Sequence, residues 1–492
     1  MNAASRHGEE IDASELHGRA AGLLANGWRL ALVAGHDDGD ALRVVYLFTQ
    51  GPPDERHELT VRLDPARPEV PTLSDLSFPA SRFERELRDD FGIESLGHPF
   101  VRPLVRHQHW PEDWYPMRRG AGPMPPHRRD ADPYPFIEVQ GTGVYEIPVG
   151  PVHAGLIEPG HFRFSVVGET ILKMTARLWY VHRGVELMFQ GADVHHGVEI
   201  AQRISGDSAV AHSLAYCMAV EEAAGIAASP GEGLLRTMLL EMERLYNHVG
   251  DVGAMCNDVS FAVANARAQV LRERLLRLNE LTTGHRLLRG AVDVAATRVR
   301  ALPGDRELAA IGVAFEDVVA LALSNAVVVD RFEGTAVLGR ADAMAIGTLG
   351  VVARAAGLET DARLSHPLVE RPFTPVRHDD GDVMARFRQR VEEFRDSLET
   401  VRQVAGSLRQ LAFVGERRAA PTSSGVGIVE GWRGAVVHRV ELDVHGRVTR
   451  ARALDPSFFN WPALAIALND TIVPDFPLAN KSFNLSYAGN DL

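Results

Sequence analysis

The chain has 492 residues, 45% hydrophobic and 24% charged, which is too long for one typical domain and ample for a sizeable core. Its formal net charge of −13 argues against nucleic acid as the main partner, because phosphate recognition needs a basic face. The two cysteines, Cys217 and Cys256, exclude a disulfide framework and share no short metal-binding spacing, so a reducing, cytosolic setting is expected.

The polar, acidic start "MNAASRHGEEIDASE" carries no secretory pattern. Helical periodicity runs from Ser14 to Asn26. The segments "WRLALVAGH", "ALRVVYLFTQ" and "HELTVRLD" read as strands between turn residues. "FPASRFERELRDDFGI" follows as a charged amphipathic helix. From about Arg118 to Gly141 the composition shifts to Pro, Gly and charge, the mark of a linker. These features divide the chain into an α/β domain over 1–120, a linker over 121–140 and a second domain over 141–492. The linker offers few anchors, so the first domain is expected to fold on its own.

The second domain opens with strands, "GVYEIPVG" and "HFRFSVVG". Helical patterns cover roughly Val194 to Ala227, Gly233 to Val249, Ala264 to Leu281, Arg306 to Asp330 and Asp382 to Leu411. The alternating segment "VVHRVELDVHGRVTRARAL" closes it as β-structure. The fold class is therefore α+β. The best apolar run, Val318 to Val329, is too short to span a bilayer, so any membrane role is expected to come through a partner.

No Gly-rich phosphate loop is present, since "GVGIVEGWRG" lacks the strand–turn–helix context of a dinucleotide fingerprint. There is no G-x-S-x-G elbow either. The adjacent His195 and His196 point apart on a helix, so they do not ligate together. Five dense strings remain: "VGPVHAGLIEPGHFRF", "YVHRGVELMFQG", "EMERLYNHVGDVGA", "DRFEGTAVLGRA" and "LDPSFFNWPAL". In this order they resemble the large subunit of membrane-bound, energy-converting nickel–iron hydrogenases and the 49-kDa-type subunit of complex I. The resemblance is closest to the formate hydrogenlyase and hydrogenase-4 type. Residues Asp64 to Pro99 with the following "WYPMRR" resemble the complex I 30-kDa-type subunit fused in front.

In catalytic members of that family four cysteine thiolates hold nickel and iron. The matching positions here are Ser205 and Ser208 of "RISGDS" and Ser457 and Asn460 of "DPSFFN". A soft thiolate bridges two metals; a hydroxyl is a hard donor, protonated at neutral pH, and an amide is weaker still. Cys217 and Cys256 lie outside both motifs. The resemblance therefore implies no metal ligands, an absent nickel–iron centre and no cofactor held tightly by this chain.

The complex I side of the resemblance implies a quinone-type acceptor. Its histidine matches His153 and that histidine's aspartate partner matches Asp251, while its tyrosine falls on Gly206 and is missing. His153 and Asp251 are expected within hydrogen-bond reach, and the four former ligand positions are expected to converge on one cavity. Arg203 matches an arginine near the partner's cluster, Arg433 matches one that overhangs the metal site, and His212 keeps its usual place. Glu158 and Glu186 are candidates for a proton path or for buried ion pairs. The implied partners are a small subunit of 20-kDa type holding a [4Fe–4S] cluster and antiporter-like membrane subunits. The implied location is peripheral, on the cytoplasmic side of the membrane. Two alternatives stand beside electron transfer to a quinone-type acceptor: a non-catalytic scaffold with a vestigial cavity, and a formate hydrogenlyase hydrogenase large subunit.

Overall fold

The computed structural model describes residues 5–100, 102–130, 132–155, 157–369, 373–409, 417–418 and 422–492. The three strands expected in the first domain form Arg29–Asp37, Leu42–Gln50 and Glu55–Leu63, each antiparallel to the next. A fourth strand, Ser5–Ile11, lies parallel to Glu55–Leu63 at the sheet edge. The polar start conceals this strand because its residues alternate between exposed and half-buried and present no apolar face. The amphipathic helix Phe78–Phe91 begins with Pro79 inside its first turn and ends on left-handed Gly92.

Beyond the linker, Val144–Val149, His161–Val167 and Thr170–Arg177 make an antiparallel meander. The periodic stretch after Val194 is two helices, Val194–Ala201 and Ala209–Ala224, because the loop 202–208 interrupts it. Pro230–Asp258, Ala262–Thr283 and Val383–Leu408 build the helical core, and the expected end of the last at Leu411 lies outside the described residues. The apolar run at 318–329 is also broken: Asp305–Leu323 and Ala326–Phe332 meet at 80°, with Asn325 capping the second helix. Among the described residues no single helix is long and apolar enough to cross a membrane.

A second antiparallel sheet, Ser424–Gly431, Gly434–Leu442 and Val448–Leu454, packs on helix Ala209–Ala224. The glycines of "GVGIVEG" serve this contact. A Cβ on Gly427 would sit 1.9 Å from the Ala215 carbonyl oxygen, and one on Gly425 would sit 2.0 Å from that of Ala219. Only hydrogen side chains let backbone meet backbone there.

The first domain and this sheet share a polar seam. Arg439 pairs with Glu58 (3.0 Å), Arg452 with Glu86 (2.8 Å) and Arg43 with Glu441 (2.9 Å). Arg56 donates to the Val426 carbonyl (2.6 Å), and Phe83 stacks on Phe458 at 4.8 Å. These arginines are invisible to periodicity because their partners lie hundreds of residues away.

Candidate functional site

Helix capping places the site. Loop 202–208 ends where helix Ala209–Ala224 begins. The Glu243 carboxylate, from helix Pro230–Asp258, accepts from Val210 N (2.7 Å) and Ala211 N (3.1 Å). Burial pushes its pKa up to about 8 against those two bonds. Asp455 caps helix Pro456–Ala467 by accepting from Ser457 N (2.7 Å). These two helix starts bring residues 205–208 beside residues 455–460.

The three serines and the asparagine are all buried, each at most 3% exposed. Ser205 Oγ donates to Asp207 (2.9 Å) and meets Ser486 Oγ (2.9 Å). Ser486 N donates to Ser457 Oγ (2.9 Å). Ser208 Oγ accepts from Trp432 Nε1 (3.1 Å) and from Arg433 Nη1 (3.4 Å). Asn460 reads the Leu349 backbone twice: its Oδ1 accepts from Leu349 N (2.8 Å) and its Nδ2 donates to Leu349 O (3.1 Å). Ser205, Ser208 and Ser457 thus join one network, while Asn460, one helical turn after Ser457, faces the 349 backbone.

Arg433 holds the network together. It grips Asp207 with two bonds of 2.7 Å and donates to Asn484 O (2.6 Å). Burial opposes ionisation of Asp207, but the Arg433 guanidinium and the Ser205 hydroxyl outweigh it and hold the carboxyl below its ordinary value. Asn484 in turn donates to Asp251 (2.6 Å), whose other oxygen accepts from Arg390 (2.7 Å).

Beneath the serines lies a dihistidine. His212 Nε2 donates to Asp455 (3.1 Å), and its Nδ1 lies 3.1 Å from His438 Nε2. Burial and the neighbouring His212 push His438 well below the ordinary histidine value. Its Nδ1 is buried without a partner among the described residues.

The expected His153–Asp251 bond is not formed. His153 Nε2 donates to Gly160 O (2.7 Å) within its own loop, while Asp251 is committed to Arg390 and Asn484. His153 is half-buried, 5.9 Å from the Phe162 ring, and Phe162 stacks on Trp461, whose Nε1 donates to the Ser486 carbonyl (3.2 Å). Arg203 is exposed and bonds the Glu199 carbonyl (2.6 Å), and Gly206 is exposed. Glu158 accepts from Ala488 N (3.0 Å). Glu186 pairs with Arg450 (2.8 Å) and Arg452 (2.9 Å), the buried ion pair of its two alternatives.

Sequence reasoning missed Asp207, Trp432, Ser486, Asn484, Arg390 and His438. Asp207 stands inside the quoted "RISGDS" string, where an acid between two former ligand positions was the available signal. The others have no local signature. Among the described residues no group of three or more His, Cys, Asp or Glu side chains is arranged to hold a metal ion.

Comparison with known proteins shows two family matches. Residues 12–125 match "Respiratory-chain NADH dehydrogenase, 30 Kd subunit" and residues 258–420 match "Respiratory-chain NADH dehydrogenase, 49 Kd subunit". The chain is 31% identical to hydrogenase-4 component G of Escherichia coli over 83% of its own length and 73% of that protein. It is 30% identical to formate hydrogenlyase subunit 5 of the same organism, over 88% and 78%. It is 27% identical to the fused C/D subunit of the NADH-quinone oxidoreductase of Phocaeicola vulgatus, over 75% and 76%. In fold it is similar to a chain of the membrane-bound sulfane sulfur reductase, an archaeal respiratory membrane complex. That match has a TM-score of 0.62 at 23% identity, covering 71% of this chain and 99% of the other.

Proposed function

This chain belongs to the complex I-like, energy-converting-hydrogenase-related family of hydrogenase-4 component G and formate hydrogenlyase subunit 5, with 30-kDa- and 49-kDa-type regions fused, and from that premise we propose a metal-free role for it. It acts as a peripheral subunit on the cytoplasmic side of a membrane oxidoreductase, has no nickel–iron centre, and takes part in electron transfer to a quinone-type acceptor. The electrons come from a [4Fe–4S] cluster in a small partner subunit of 20-kDa type, and antiporter-like subunits form the membrane arm.

The observation that carries the metal-free reading is the protein-only network at the four ligand positions. Each hydroxyl or amide there is satisfied by another protein group, so the donor set does not fit a thiolate-bridged metal pair. Elemental analysis of the chain, expressed with hydrogenase maturation factors, should find no stoichiometric nickel. Near-unit nickel surviving dialysis refutes the reading.

The acceptor reading draws support from the loop that carries His153. Its Nδ1 has no partner among the described residues, and Val152 and Ile157 beside it are 84% and 53% exposed. An apolar-tailed ring with a polar head would find apolar side chains there, and an imidazole Nδ1 to hydrogen-bond it. In the assembled complex, His153→Ala should slow electron transfer to the acceptor without loss of assembly. The closed serine network favours the second reading, a scaffold subunit, and unchanged turnover in that variant would establish the scaffold over the acceptor site.

A further inference from the structure

Among the described residues, the acidic chain carries an open basin of opposite sign. It has a volume of about 480 Å³ and lies between the C-terminus of helix Ala262–Thr283 and the short hairpin Val292–Asp293/Ala296–Thr297. Thr283, His285, Arg289, Arg298 and Arg300 line it. Asp293 pairs with Arg298 (2.9 Å). The guanidinium groups of Arg289 and Arg300 have no hydrogen-bonding or ionic partner among the described residues, and Arg289 Nε is buried unpaired.

The cluster is built into the backbone. Gly284 has φ +93, and a Cβ there would lie 2.2 Å from Arg300 Cζ, so the guanidinium packs where no side chain fits. Gly290 N is held by Gln202 Oε1 (2.8 Å), which fastens this loop to the site loop 202–208. The Arg289 Nη2 lies 3.7 Å from the Cβ position of Gly206. The carbonyl end of the helix attracts one cation, but it does not account for three arginines and a histidine converging on one basin. Burial and then Arg289 push His285 below its ordinary value, and Glu280 opposes this.

We infer that this basin binds a phosphate-type oxyanion, held by the Arg289 and Arg300 forks with His285 at the rim. Planar guanidinium forks match tetrahedral oxyanions in pairs of parallel bonds. The oxyanion comes either from a soluble phosphate compound or from a phospholipid headgroup, and the basin chemistry is the same for both.

The test is calorimetric titration of the full chain with inorganic phosphate at physiological salt, where remote surface charge is screened. Saturable one-site binding is expected. Arg289→Gln with Arg300→Gln should weaken it at least tenfold while the circular dichroism spectrum and thermal midpoint stay unchanged. Gly284→Ala should weaken it too, with both arginines still present. Vesicles of phosphatidylglycerol form the second arm: binding that phosphate displaces identifies a headgroup, and phosphate binding without vesicle binding identifies a soluble ligand. No saturable phosphate binding, or equal binding by the double variant, overturns the assignment. Tight binding of polyglutamate that phosphate does not displace also overturns it, in favour of an acidic protein segment.

Discussion

Arg354 has no exposed surface, and three carboxylates converge on it: Glu393 at 2.8 Å, Glu430 at 2.7 Å and Asp361 at 3.1 Å. Burial pushes Glu393 up, yet Arg354 and His248 pull it well below the usual carboxylate range. Arg354→Met keeps most of the volume and removes the charge, leaving three buried acids to repel one another. Removing one partner of a buried ion pair costs about 3–5 kcal/mol, and because Arg363 stays on Asp361 (2.8 Å) and His248 on Glu393 (3.0 Å) this site falls towards the lower end. The pH dependence follows from the sign of the shifts. In the wild type, the depressed acids Glu393 and Asp361 contribute stability that is present above their ordinary values and lost as pH falls through the lowered ones. In the variant the folded-state values rise above the ordinary 4.5 of a glutamate, so stability is present below it and lost as pH rises. The deficit should therefore grow between pH 5 and pH 8. Urea unfolding followed by circular dichroism and tryptophan fluorescence measures it, and Glu430→Gln in the variant background should recover part of the loss. A deficit below about 1 kcal/mol, or one flat with pH, would refute the reasoning.

Gly427→Ala should destabilise by about 2 kcal/mol or more, because its Cβ would meet the Ala215 carbonyl oxygen at 1.9 Å and either strand or helix must move; an unchanged thermal midpoint would contradict this. The seam residue Asp54, bonded to His366 (2.7 Å) and Arg56 (2.8 Å), has its pKa lowered from 3.8 to about 2 despite burial. That drop is worth about 2 kcal/mol, fully present above 3.8 and lost as pH falls through 2, so Asp54→Asn should lower stability at pH 7 and lose its effect near pH 2. Cys217 and Cys256 are buried, and burial pushes Cys256 up to about 12. A disulfide reagent at pH 8 should label neither until the chain unfolds, and rapid labelling of the native protein would contradict the packing.

The major elements were legible wherever one face was apolar. The strands at 29–37, 42–50 and 55–63 and the helices at 230–258, 262–283 and 383–408 all carry that signal. It failed at Ser5–Ile11, an edge strand without an apolar face, and at the loop 202–208, whose small residues continue the helical spacing on either side. The ligand positions were legible because motif strings mark them. Their partners were not: Ser486 and His438 stand more than 200 residues from the loop they bond or underlie, and nothing local distinguishes them. The His153–Asp251 expectation failed for a related reason. Arg390, on a helix 139 residues further along, takes the carboxylate first, and sequence spacing carries no record of that competition.

Asn460 shows that the ligand positions cannot be exchanged one at a time. It is 1% exposed, and its amide satisfies both the N–H and the C=O of Leu349, the residue that precedes helix Gly350–Ala355 and hence Arg354. Asn460→Cys supplies a smaller side chain whose sulfur is a weak acceptor, so it leaves the Leu349 N–H buried without a strong acceptor and its carbonyl with only the long bond from Ala353 N (3.5 Å). Each orphaned group costs about 1–3 kcal/mol. The variant should therefore unfold at markedly lower urea than the wild type before any metal is offered. Ser457→Cys should lose less, because its hydroxyl accepts a single bond from Ser486 N and sulfur accepts weakly in its place. The difference between the two variants, read from their urea midpoints, measures how far the backbone at 349 depends on the amide. If Asn460→Cys proves as stable as Ser457→Cys, the double bond to Leu349 is dispensable, and the protein-only network would no longer explain why a thiolate is absent from that position.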